Sequence, residues 1–314
     1  MIGSDKLDIS IENLWRCWRQ YKVGKKKTIE LLQFEYFLEK NLAVLGTDLG
    51  SRKYKHGAYY TFEVKDNKPR KISVASIRDR IVHRLIYEYL VGIFDRKFDF
   101  DVWSCRKEKG LIGAIQRCHN LEKKYSHKVF WRADVSKFFE SVDKEKLFST
   151  IAKQIQDKKA LWLIHEIIFS FKKGISIGNL TSQIFANIYL NEFDRFVRNS
   201  LKPPGYLRYG DDFVIFEDNF KKLDSHKILA ESFLFAHLKP NVHQKNNFVG
   251  KVSQRIKFLG CRITPREISL NSRNKKRLFH RLNYKNISSY FGLVQKFGDK
   301  ELKKKFAWKL FDHT

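Results

Sequence analysis

Apolar residues in the first third of the chain recur at two different spacings, which predict different elements. Over residues 11–45 and again over 76–94 they fall about four positions apart, the period of an amphipathic helix. Between these stretches, residues 54–74 form two strand-like runs on either side of the polar sequence KDNKP, a pattern typical of a β-hairpin. This part of the chain is therefore expected to hold helices that flank a hairpin with a basic tip.

The same two spacings continue through the rest of the chain. The short apolar run VFWRADV indicates a buried strand over 129–135, and Asp143 is placed to cap the helix that follows. The further predicted elements are a long helix over 181–199, two short strands around a tight turn over 206–216, a helix over 221–238, a strand over 256–263 and a basic helical tail from Ser272. Helices that alternate with antiparallel hairpins predict an α+β fold.

Positive charge is the strongest compositional feature of the 314 residues. Lys and Arg number 62 against 34 Asp and Glu, which leaves a formal net charge of +28 and a pI near 9.9. Such an excess predicts a polyanionic partner, either nucleic acid or an anionic membrane surface. The alternative is a drift in composition, because a biased base usage inflates lysine and phenylalanine together.

The sequence does not favour the membrane alternative. Its most apolar stretch, Leu161 to Phe171, is interrupted by His165 and Glu166 and is too short to span a bilayer. The first ten residues lack the features of a secretion signal, and the four cysteines have no paired spacing. We therefore expect a cytoplasmic protein with reduced thiols and no membrane contact.

Three aspartates stand in unusually apolar surroundings. Asp134 lies at the end of an apolar strand, and Asp211 and Asp212 lie in a tight turn between two apolar strands. Because unpaired buried carboxylates are costly, they require cations, either Arg and Lys side chains or a divalent ion such as Mg²⁺. Two carboxylate clusters at strand ends suit a two-metal site for phosphoryl transfer. Taken alone, Gly-Asp is also a common turn dipeptide.

The segments around these aspartates resemble the catalytic motifs of reverse transcriptases. YGDD at 209–212 is similar to their YxDD box, and FWRADVSKFFESV at 130–142 is similar to their first catalytic motif. Four more segments are similar to further motifs of the family, in the same order along the chain. RKISVASIRDRIVHR (70–84) is similar to the fingers motif, and SCRKEKGLIGAI (104–115) is similar to the second motif. GISIGNLTSQ (174–183) is similar to the template-and-nucleotide motif, and IKFLG (256–260) is similar to the primer grip. The resemblance extends from about Lys65 to Gly260.

The resemblance implies a right-hand polymerase fold with fingers, a palm of antiparallel sheet backed by helices, and a short helical thumb. We expect N-terminal helices and fingers, with part of the palm, over 1–128, the palm with the catalytic motifs over 129–263, and a basic helical thumb over 264–314. The implied activity is RNA-directed DNA polymerisation, a nucleotidyl transfer that uses two Mg²⁺ ions, with Mn²⁺ as a possible substitute. Its implied ligands are dNTPs, a template RNA and an RNA/DNA primer–template duplex.

The loop over 174–183 narrows the resemblance to one subfamily. Most reverse transcriptases carry a Gln-Gly pair here and end the motif in Ser-Pro, whereas this chain has Ile177 and Gln183 at the altered positions. This variant resembles the enzymes of diversity-generating retroelements, in which it is linked to errors opposite template adenines during mutagenic retrohoming. That subfamily implies a prokaryotic or phage source and a small, basic, oligomeric accessory variability protein.

Two other readings of the chain stay open. A retron or phage-defence reverse transcriptase would make a dedicated DNA product, and an intron-type maturase would use the fold mainly to bind RNA. The intact set of Asp134, Asp211 and Asp212 argues against a purely structural role. We also expect the short tail to lack room for the additional domains of intron-encoded enzymes.

The resemblance assigns the catalytic metal ligands and one general acid. Asp134 and Asp211 are the principal metal ligands, Asp212 completes the acidic cluster, and the carbonyl of Val135 is a further ligand. Lys245 is placed like the family's late lysine, which protonates the leaving pyrophosphate; because the register there is loose, Lys239 is the alternative.

A second set of residues is implied to bind the incoming nucleotide. Lys65 and Arg70 on the fingers hairpin would hold its triphosphate, and Phe139 matches the steric gate that excludes a ribose 2′-OH. Lys65 could instead be a solvated turn lysine and Phe139 a core residue. The members of the loop assigned to the nucleotide and template side are Ile177, Gly178, Ser182 and Gln183.

A third set is implied to hold the primer and template. Tyr209 would stack beneath the primer end, although a packing role is nearly as plausible, and Gly210 removes side-chain contact there. Leu259 and Gly260 belong to the segment similar to the primer grip. The basic tail contributes Lys275, Lys276 and Arg277, which would follow a phosphate backbone.

Overall fold

The computed structural model describes residues 6–65, 69–243, 246–282 and 287–311. In chain order the helices are α1 (Ile11–Lys22), α2 (Ile29–Tyr36), α3 (Leu38–Gly50), α4 (Ile77–Phe94), α5 (Leu111–Lys124), α6 (Phe138–Ser141), α7 (Lys144–Ala152), α8 (Lys158–Phe169), α9 (Leu180–Phe196), α10 (Phe220–Leu238), α11 (Ser272–Arg281), α12 (Ile287–Phe297) and α13 (Lys300–Phe311). The strands are β1 (Tyr60–Lys65), β2 (Pro69–Val74), β3 (Val129–Asp134), β4 (Gly205–Tyr209), β5 (Asp212–Glu217), β6 (Phe248–Lys251), β7 (Ile256–Phe258), β8 (Cys261–Ile263) and β9 (Ile268–Leu270).

Contacts group the chain into two compact units, and each unit is built from several stretches of sequence. The first consists of Met1–Phe98, Lys137–Asp194 and Phe235–Pro240. The second consists of Asp99–Ser136, Arg195–Leu234 and Asn241–Thr314. The division into 1–128, 129–263 and 264–314 follows sequence motifs and stays a prediction.

The first unit combines helices with a two-stranded hairpin. Several of its helices begin at polar caps: Ser10 accepts from the backbone N–H of Asn13 at α1, and Asp143 caps α7 as predicted. The predicted 11–45 helical stretch is divided into α1, α2 and α3. The antiparallel β1–β2 hairpin pairs Tyr60 with Val74 at its open end.

The first predicted strand begins later than the sequence pattern indicated. Residues 54–59 were expected to be strand-like, but β1 starts only at Tyr60. The polar groups of this segment are bound to α4 instead of a strand: the Tyr54 hydroxyl donates to Asp79 Oδ1 at 2.7 Å, and the backbone N–H of Gly57 donates to Asp79 Oδ2 at 3.2 Å. A strand-like sequence pattern does not show whether the polar groups of a segment bond to a neighbouring strand or to a helix.

The second unit contains two antiparallel sheets. The larger has the strand order β4-β5-β3-β6, and the smaller has the order β7-β8-β9. The single strand predicted over 256–263 is wrong: β7 and β8 are two strands joined by Leu259 and Gly260, whose φ angles are +48° and +81°. Positive φ at both central residues forms a tight hairpin turn, which interrupts an otherwise continuous apolar run.

A hydrophobic core joins these sheets to the C-terminal helices within the second unit. It is formed by apolar residues of α5, both sheets and α11–α13, among them Ile115, Val214, Phe258, Leu278 and Phe306. The basic tail is helical, as predicted. None of the helices in the described part of the chain is both long enough and apolar enough to cross a bilayer.

Candidate active site

The three predicted acidic residues meet at one end of the four-stranded sheet. Asp134 is the last residue of β3, and Asp212, the first residue of β5, is its cross-strand partner. Asp211 lies in the turn before β5, where its carbonyl accepts a 3.1 Å hydrogen bond from the backbone N–H of Val135. Because opposed residues of antiparallel strands share a face, Asp134 and Asp212 lie on the same side of the sheet.

The turn that presents Asp211 depends on a glycine. Tyr209 pairs with Asp212, so Gly210 and Asp211 alone connect β4 to β5. Gly210 has a φ of +65°, which suits the first central position of a tight hairpin turn. Apart from its chain neighbours, nothing lies within 4 Å of the position a Cβ would take. The glycine is therefore required by the backbone conformation and not by lack of space.

Residues of the preceding segment hold this turn in place. The N–H of Gly210 donates to Ser104 Oγ at 2.9 Å, and its carbonyl accepts from Arg208 Nη1 at 2.8 Å. The Arg208 side chain is completely buried, and its backbone pairs with the carbonyl of Asp101 and the N–H of Trp103, each at 2.9 Å. The turn is therefore fixed through its backbone, and the side chain of Asp211 takes no part in these contacts.

Asp212 is neutralised by an arginine of the neighbouring strand. Arg132 donates from Nε to Asp212 Oδ1 at 3.0 Å and from Nη2 to Oδ2 at 2.6 Å, which is a bidentate ion pair. Burial raises the pKa of Asp212 to about 6, and the charge and hydrogen bonds of Arg132 limit that rise. The expectation that Asp212 completes a metal-binding cluster stays a prediction, and the structure shows both of its carboxylate oxygens engaged.

Asp211 and Asp134 differ from Asp212 because, among the described residues, no cation forms a bidentate ion pair with either of them. Burial, followed by the negative charge of Asp134, raises the pKa of Asp211 to about 7. Asp134 Oδ2 accepts a 2.9 Å hydrogen bond from Asn246 Nδ2, and its carbonyl accepts from the N–H of His243 at 2.7 Å. These contacts orient Asp134 without providing a full positive charge.

The donor set at this turn fits a hard divalent cation. A cation that binds between two neighbouring carboxylates offsets the repulsion between their negative charges, and Mg²⁺ prefers such oxygen ligands. Within the described residues, no group of three or more His, Cys, Asp or Glu side chains is arranged as a metal site. The fit is therefore to Asp134 and Asp211 as a pair, with the backbone of Val135 next to them.

The two candidates for the late lysine have different positions. Lys245 lies outside the described residues, but His243 and Asn246 on either side of it both bond to Asp134. Lys239 belongs to the first unit, where its Nζ forms an ion pair of 2.5 Å with Asp143 Oδ2.

The predicted nucleotide loop is attached to the fingers hairpin within the first unit. The backbone N–H of Ser73 on β2 donates to the carbonyl of Ile177 at 2.9 Å, and Asn179 Nδ2 donates to the carbonyl of Ser73 at 2.9 Å. A Cβ on Gly178, whose φ is +113°, would lie 2.8 Å from Ile72 Cγ2. The loop is thus pressed against β2, the strand that also carries Arg70.

The remaining predicted nucleotide residues differ in exposure. Ser182 is buried, with its hydroxyl 3.2 Å from that of Ser176, whereas Gln183 and Arg70 are exposed. Phe139 is half-buried, and its carbonyl accepts from the N–H of Ile175 at 2.8 Å. Lys65 ends β1, and nothing is described of its side chain.

The predicted primer and template residues lie in the second unit. Tyr209 is half-buried and packs against the core. A Cβ on Gly260 would lie 2.1 Å from Asn274 Nδ2, which donates to the Gly260 carbonyl at 3.1 Å. Of the basic residues on α11, Lys275 forms a 3.1 Å ion pair with Asp299. Leu259 and Arg277 are half-buried and Lys276 is exposed.

Sequence reasoning missed the residues that support the acidic turn. These are Arg132, Arg208, Ser104 and Asn246. Of these four residues, Arg132 could have been identified from the sequence. It stands two residues before Asp134, and the side chains of a strand return to the same face every second residue. The other three reach the turn through tertiary contacts that leave no periodic pattern.

Comparison with known families agrees with the catalytic motifs. The model of the reverse transcriptase (RNA-dependent DNA polymerase) family matches residues 55–263, and the chain belongs to this family. The match includes both the acidic turn and the loop over 174–183.

Several curated relatives are encoded by introns. The chain is 22% identical over 231 residues to the putative COX1/OXI3 intron 2 protein of Saccharomyces cerevisiae, covering 68% of this chain and 27% of that protein. It is 23% identical over 243 residues to protein YkfC of Escherichia coli, covering 63% of this chain and 64% of that protein. It is 24% identical over 162 residues to the group II intron-encoded protein LtrA of Lactococcus lactis, covering 46% of this chain and 26% of that protein. The chain thus spans between about a quarter and two thirds of the length of these relatives.

Solved structures of telomerases share the fold. Apo telomerase from Candida tropicalis superimposes with a TM-score of 0.54 at 12% identity, covering 77% of this chain and 53% of that one. Telomerase from Candida albicans, in complex with a fragment of telomeric RNA, gives 0.53 at 13% identity, covering 71% and 48%. The predicted α+β polymerase fold is confirmed.

Proposed function

We propose that this protein is an RNA-directed DNA polymerase that makes cDNA by two-metal nucleotidyl transfer. The proposal depends above all on the pair of Asp134 and Asp211, which lie at a strand end and in a tight turn whose backbones are bonded to each other, and which have no ion-pair partner among the described residues. Membership of the reverse transcriptase family supports the same reaction.

Each residue of the acidic turn has a part in this proposal. Asp134 and Asp211 hold the cations, with the carbonyl of Val135 as a further ligand. Two Mg²⁺ ions, or Mn²⁺ in their place, would supply activation of the primer 3′-hydroxyl and stabilisation of the leaving pyrophosphate. Arg132 keeps Asp212 in its ion pair, and Lys245 is assigned to protonate the pyrophosphate.

The nucleotide and the duplex are assigned to other residues. Lys65 and Arg70 bind the triphosphate of the dNTP, and Phe139 excludes the ribose 2′-OH. The loop residues Ile177, Gly178, Ser182 and Gln183 line the nucleotide and the template base. For the RNA/DNA primer–template duplex, the assigned residues are Tyr209, Gly210, Leu259, Gly260, Lys275, Lys276 and Arg277.

Primer extension on an RNA template with dNTPs and Mg²⁺ tests the metal assignment. Asp211→Asn keeps the size of the side chain but removes its charge, so we expect a loss of several kcal/mol of transition-state stabilisation, about 10³-fold in rate or more. Asp218→Asn is the matched control, because this aspartate is exposed in the same unit, and it should extend the primer at the wild-type rate. Wild-type extension by Asp211→Asn would refute the assignment.

A diversity-generating retroelement is the subfamily that we propose. The supporting observation is the sequence IGNLTSQ, in which Ile177 and Gln183 depart from the common motif. An apolar Ile177 offers a weaker polar hold on the base pair than a glutamine amide. Under this proposal the template is a dedicated RNA and a small basic oligomeric protein assembles with the enzyme.

Sequencing of the cDNA tests the subfamily. Errors concentrated opposite template adenines would support the retroelement, and Ile177→Gln should reduce them selectively. Uniform fidelity in the wild-type protein would contradict it and favour a retron or phage-defence enzyme.

An intron-type maturase is the second candidate, and the names of the curated relatives favour it. This function would require tight binding of a structured intron RNA and promotion of its splicing. Asp211→Asn should leave such binding intact while it abolishes DNA synthesis. Splicing activity that persists in this variant would identify a maturase.

A further inference from the structure

Two histidines and a threonine form a hydrogen-bonded chain in the first unit. Thr181 Oγ1 lies 2.6 Å from His83 Nδ1, and His83 Nε2 lies 3.0 Å from His56 Nε2. The chain ends where His56 Nδ1 lies 2.7 Å from the carbonyl oxygen of Gly57. His83 is only 2% exposed and Thr181 only 1%. The chain therefore links α4, the first turn of α9 and the segment before β1.

The carbonyl at one end fixes the direction of every hydrogen bond. A carbonyl only accepts, so His56 Nδ1 donates to Gly57, and in the tautomer with its proton on Nδ1 the other nitrogen, Nε2, accepts. In that arrangement His83 Nε2 donates to His56, and His83 Nδ1 accepts from the hydroxyl of Thr181. Burial lowers the pKa of His83 to about 3, and the neighbouring His56 and Arg80 lower it further, so the His83 ring stays neutral.

Thr181 also belongs to the loop that carries the altered family motif. The middle of that loop is attached to β2 and to the residue after it, because the N–H of Ser73 donates to the carbonyl of Ile177 and Asn179 Oδ1 accepts from the N–H of Ala75 at 3.3 Å. The bond from Thr181 to His83 attaches the end of the motif to α4. Ile177 is thus itself held by β2, and residues 178–180 connect it to Thr181.

We propose that His83 is a positioning residue that, through Thr181, sets the Ile177–Gly178 segment and so determines how tightly the incoming dNTP is bound. The inference rests on the proposed function, because the dNTP is the substrate of that reaction. His83 itself does not touch the nucleotide in this proposal. Its effect is to hold one end of the loop at a fixed place relative to α4.

Two substitutions break the chain at neighbouring points. Thr181→Val replaces the hydroxyl by a methyl of similar size, and His83→Phe removes both ring nitrogens. Both variants lose the Thr181–His83 hydrogen bond, which is worth about 1.4 kcal/mol, so we expect the KM for dNTPs to rise about tenfold in each. The kcat at saturating dNTP should stay near the wild-type value, because the acidic turn is unchanged.

Conservative variants separate this role from simple packing. His83→Gln keeps an acceptor for Thr181 and a donor for His56, and Thr181→Ser keeps the hydroxyl; both should restore the wild-type KM. Tyr54→Phe is the matched control, since it removes a buried 2.7 Å hydrogen bond to Asp79 of α4 without touching α9. It should lower the melting temperature but leave the KM unchanged.

A double-mutant cycle and hydrogen exchange complete the test. Because Thr181 and His83 act through one bond, the double variant should raise the KM no more than either single variant. Backbone amides of residues 174–183 should exchange faster in Thr181→Val than in the wild type or in Tyr54→Phe. An unchanged KM in Thr181→Val, or multiplicative effects in the double variant, would overturn the inference.

Hydrogen exchange also separates failure of this inference from failure of the proposed function. Should the wild-type protein polymerise no DNA, the proposed function fails, and the exchange experiment still decides whether His83 positions the loop. Equal exchange of residues 174–183 in the wild type and in Thr181→Val would then overturn the inference.

Discussion

The acidic turn and Glu122 of α5, both in the second unit, hold carboxyl groups in different surroundings. At the acidic turn, Asp134, Asp211 and Asp212 stand beside an arginine and an asparagine amide. Glu122 on α5 is fully buried in the core, and neither of its oxygens accepts a hydrogen bond from any of the described residues. Burial raises the pKa of Glu122 to about 8, and the backbone of Ile256 acts in the opposite direction.

A raised pKa alone therefore does not mark the candidate site. Both Glu122 and Asp211 have a higher proton affinity than a free carboxyl group. They differ in what surrounds them: the Glu122 oxygens have no hydrogen-bond partner among the described residues, whereas Asp211 has the carboxyl group of Asp134 nearby and follows a glycine with open space beside it. The proposed function places a cation at Asp211 and nothing but a proton at Glu122.

Breaking the ion pair should have the largest effect on stability. Arg132→Met leaves Asp212 buried without its partner, which we expect to cost about 3–5 kcal/mol in the free energy of unfolding. Urea denaturation at pH 7 measures this loss. The double variant Arg132→Met/Asp212→Leu removes both charges and should recover most of it. If the double variant is as unstable as the single one, the cost comes from packing and not from the unpaired charge.

Glu122 should make stability depend on pH in the opposite sense to an ion-paired aspartate. Because its pKa is raised in the folded state, the folded protein binds this proton more tightly than the unfolded chain does. The stabilisation is complete below about pH 4.5 and is lost as the pH rises through about 8, in total about 5 kcal/mol.

Glu122→Gln removes this dependence because an amide does not titrate. We expect its unfolding free energy to change less between pH 5 and pH 8 than that of the wild type, and to exceed the wild-type value at pH 8. The exposed Glu267→Gln serves as the control and should follow the wild-type curve. A wild-type curve that is flat over this range would show that Glu122 is not buried as described.

The turn glycine should give the smallest change in stability. In Gly210→Ala, the new methyl group has no described atom within 4 Å outside the neighbouring residues. The loss in the free energy of unfolding therefore comes from holding an alanine at positive φ, and we expect it to be about 1–2 kcal/mol, measured by thermal unfolding. Gly260→Ala has the same backbone cost and must also displace Asn274 Nδ2, so it should be clearly less stable than Gly210→Ala. Equal stability of the two variants would contradict the difference in packing at the two turns.

The sequence predicts the acidic turn well because its signal is local. YGDD lies between two apolar runs, and Asp134 ends a third, so strand ends and a tight turn follow from short-range patterns alone. The helices α4, α7 and α9 show the same kind of local signal, with apolar residues about four positions apart. Where the pattern is periodic and the caps are polar, prediction and structure agree.

Long-range partners could not be predicted in the same way. Arg132 and Asp212 are 80 residues apart, as the pairing of β3 with β5 requires, and Asn246 reaches Asp134 from 112 residues away. Tyr54 looks like a strand residue, but its hydroxyl bonds to Asp79. The partner to which each of these side chains bonds depends on which surfaces meet in the fold. The sequence pattern near each residue does not contain that information.

The interleaved stretches of the two units have a consequence for synthesis on the ribosome. The first unit requires residues up to Pro240, and the second is closed only by residues from Asn241 onward. While β3, β4 and β5 are already made, the strand β6 that pairs with β3 has yet to emerge. Apolar surface of the nascent chain thus stays uncovered until late in translation, a period in which chaperones would be expected to bind it.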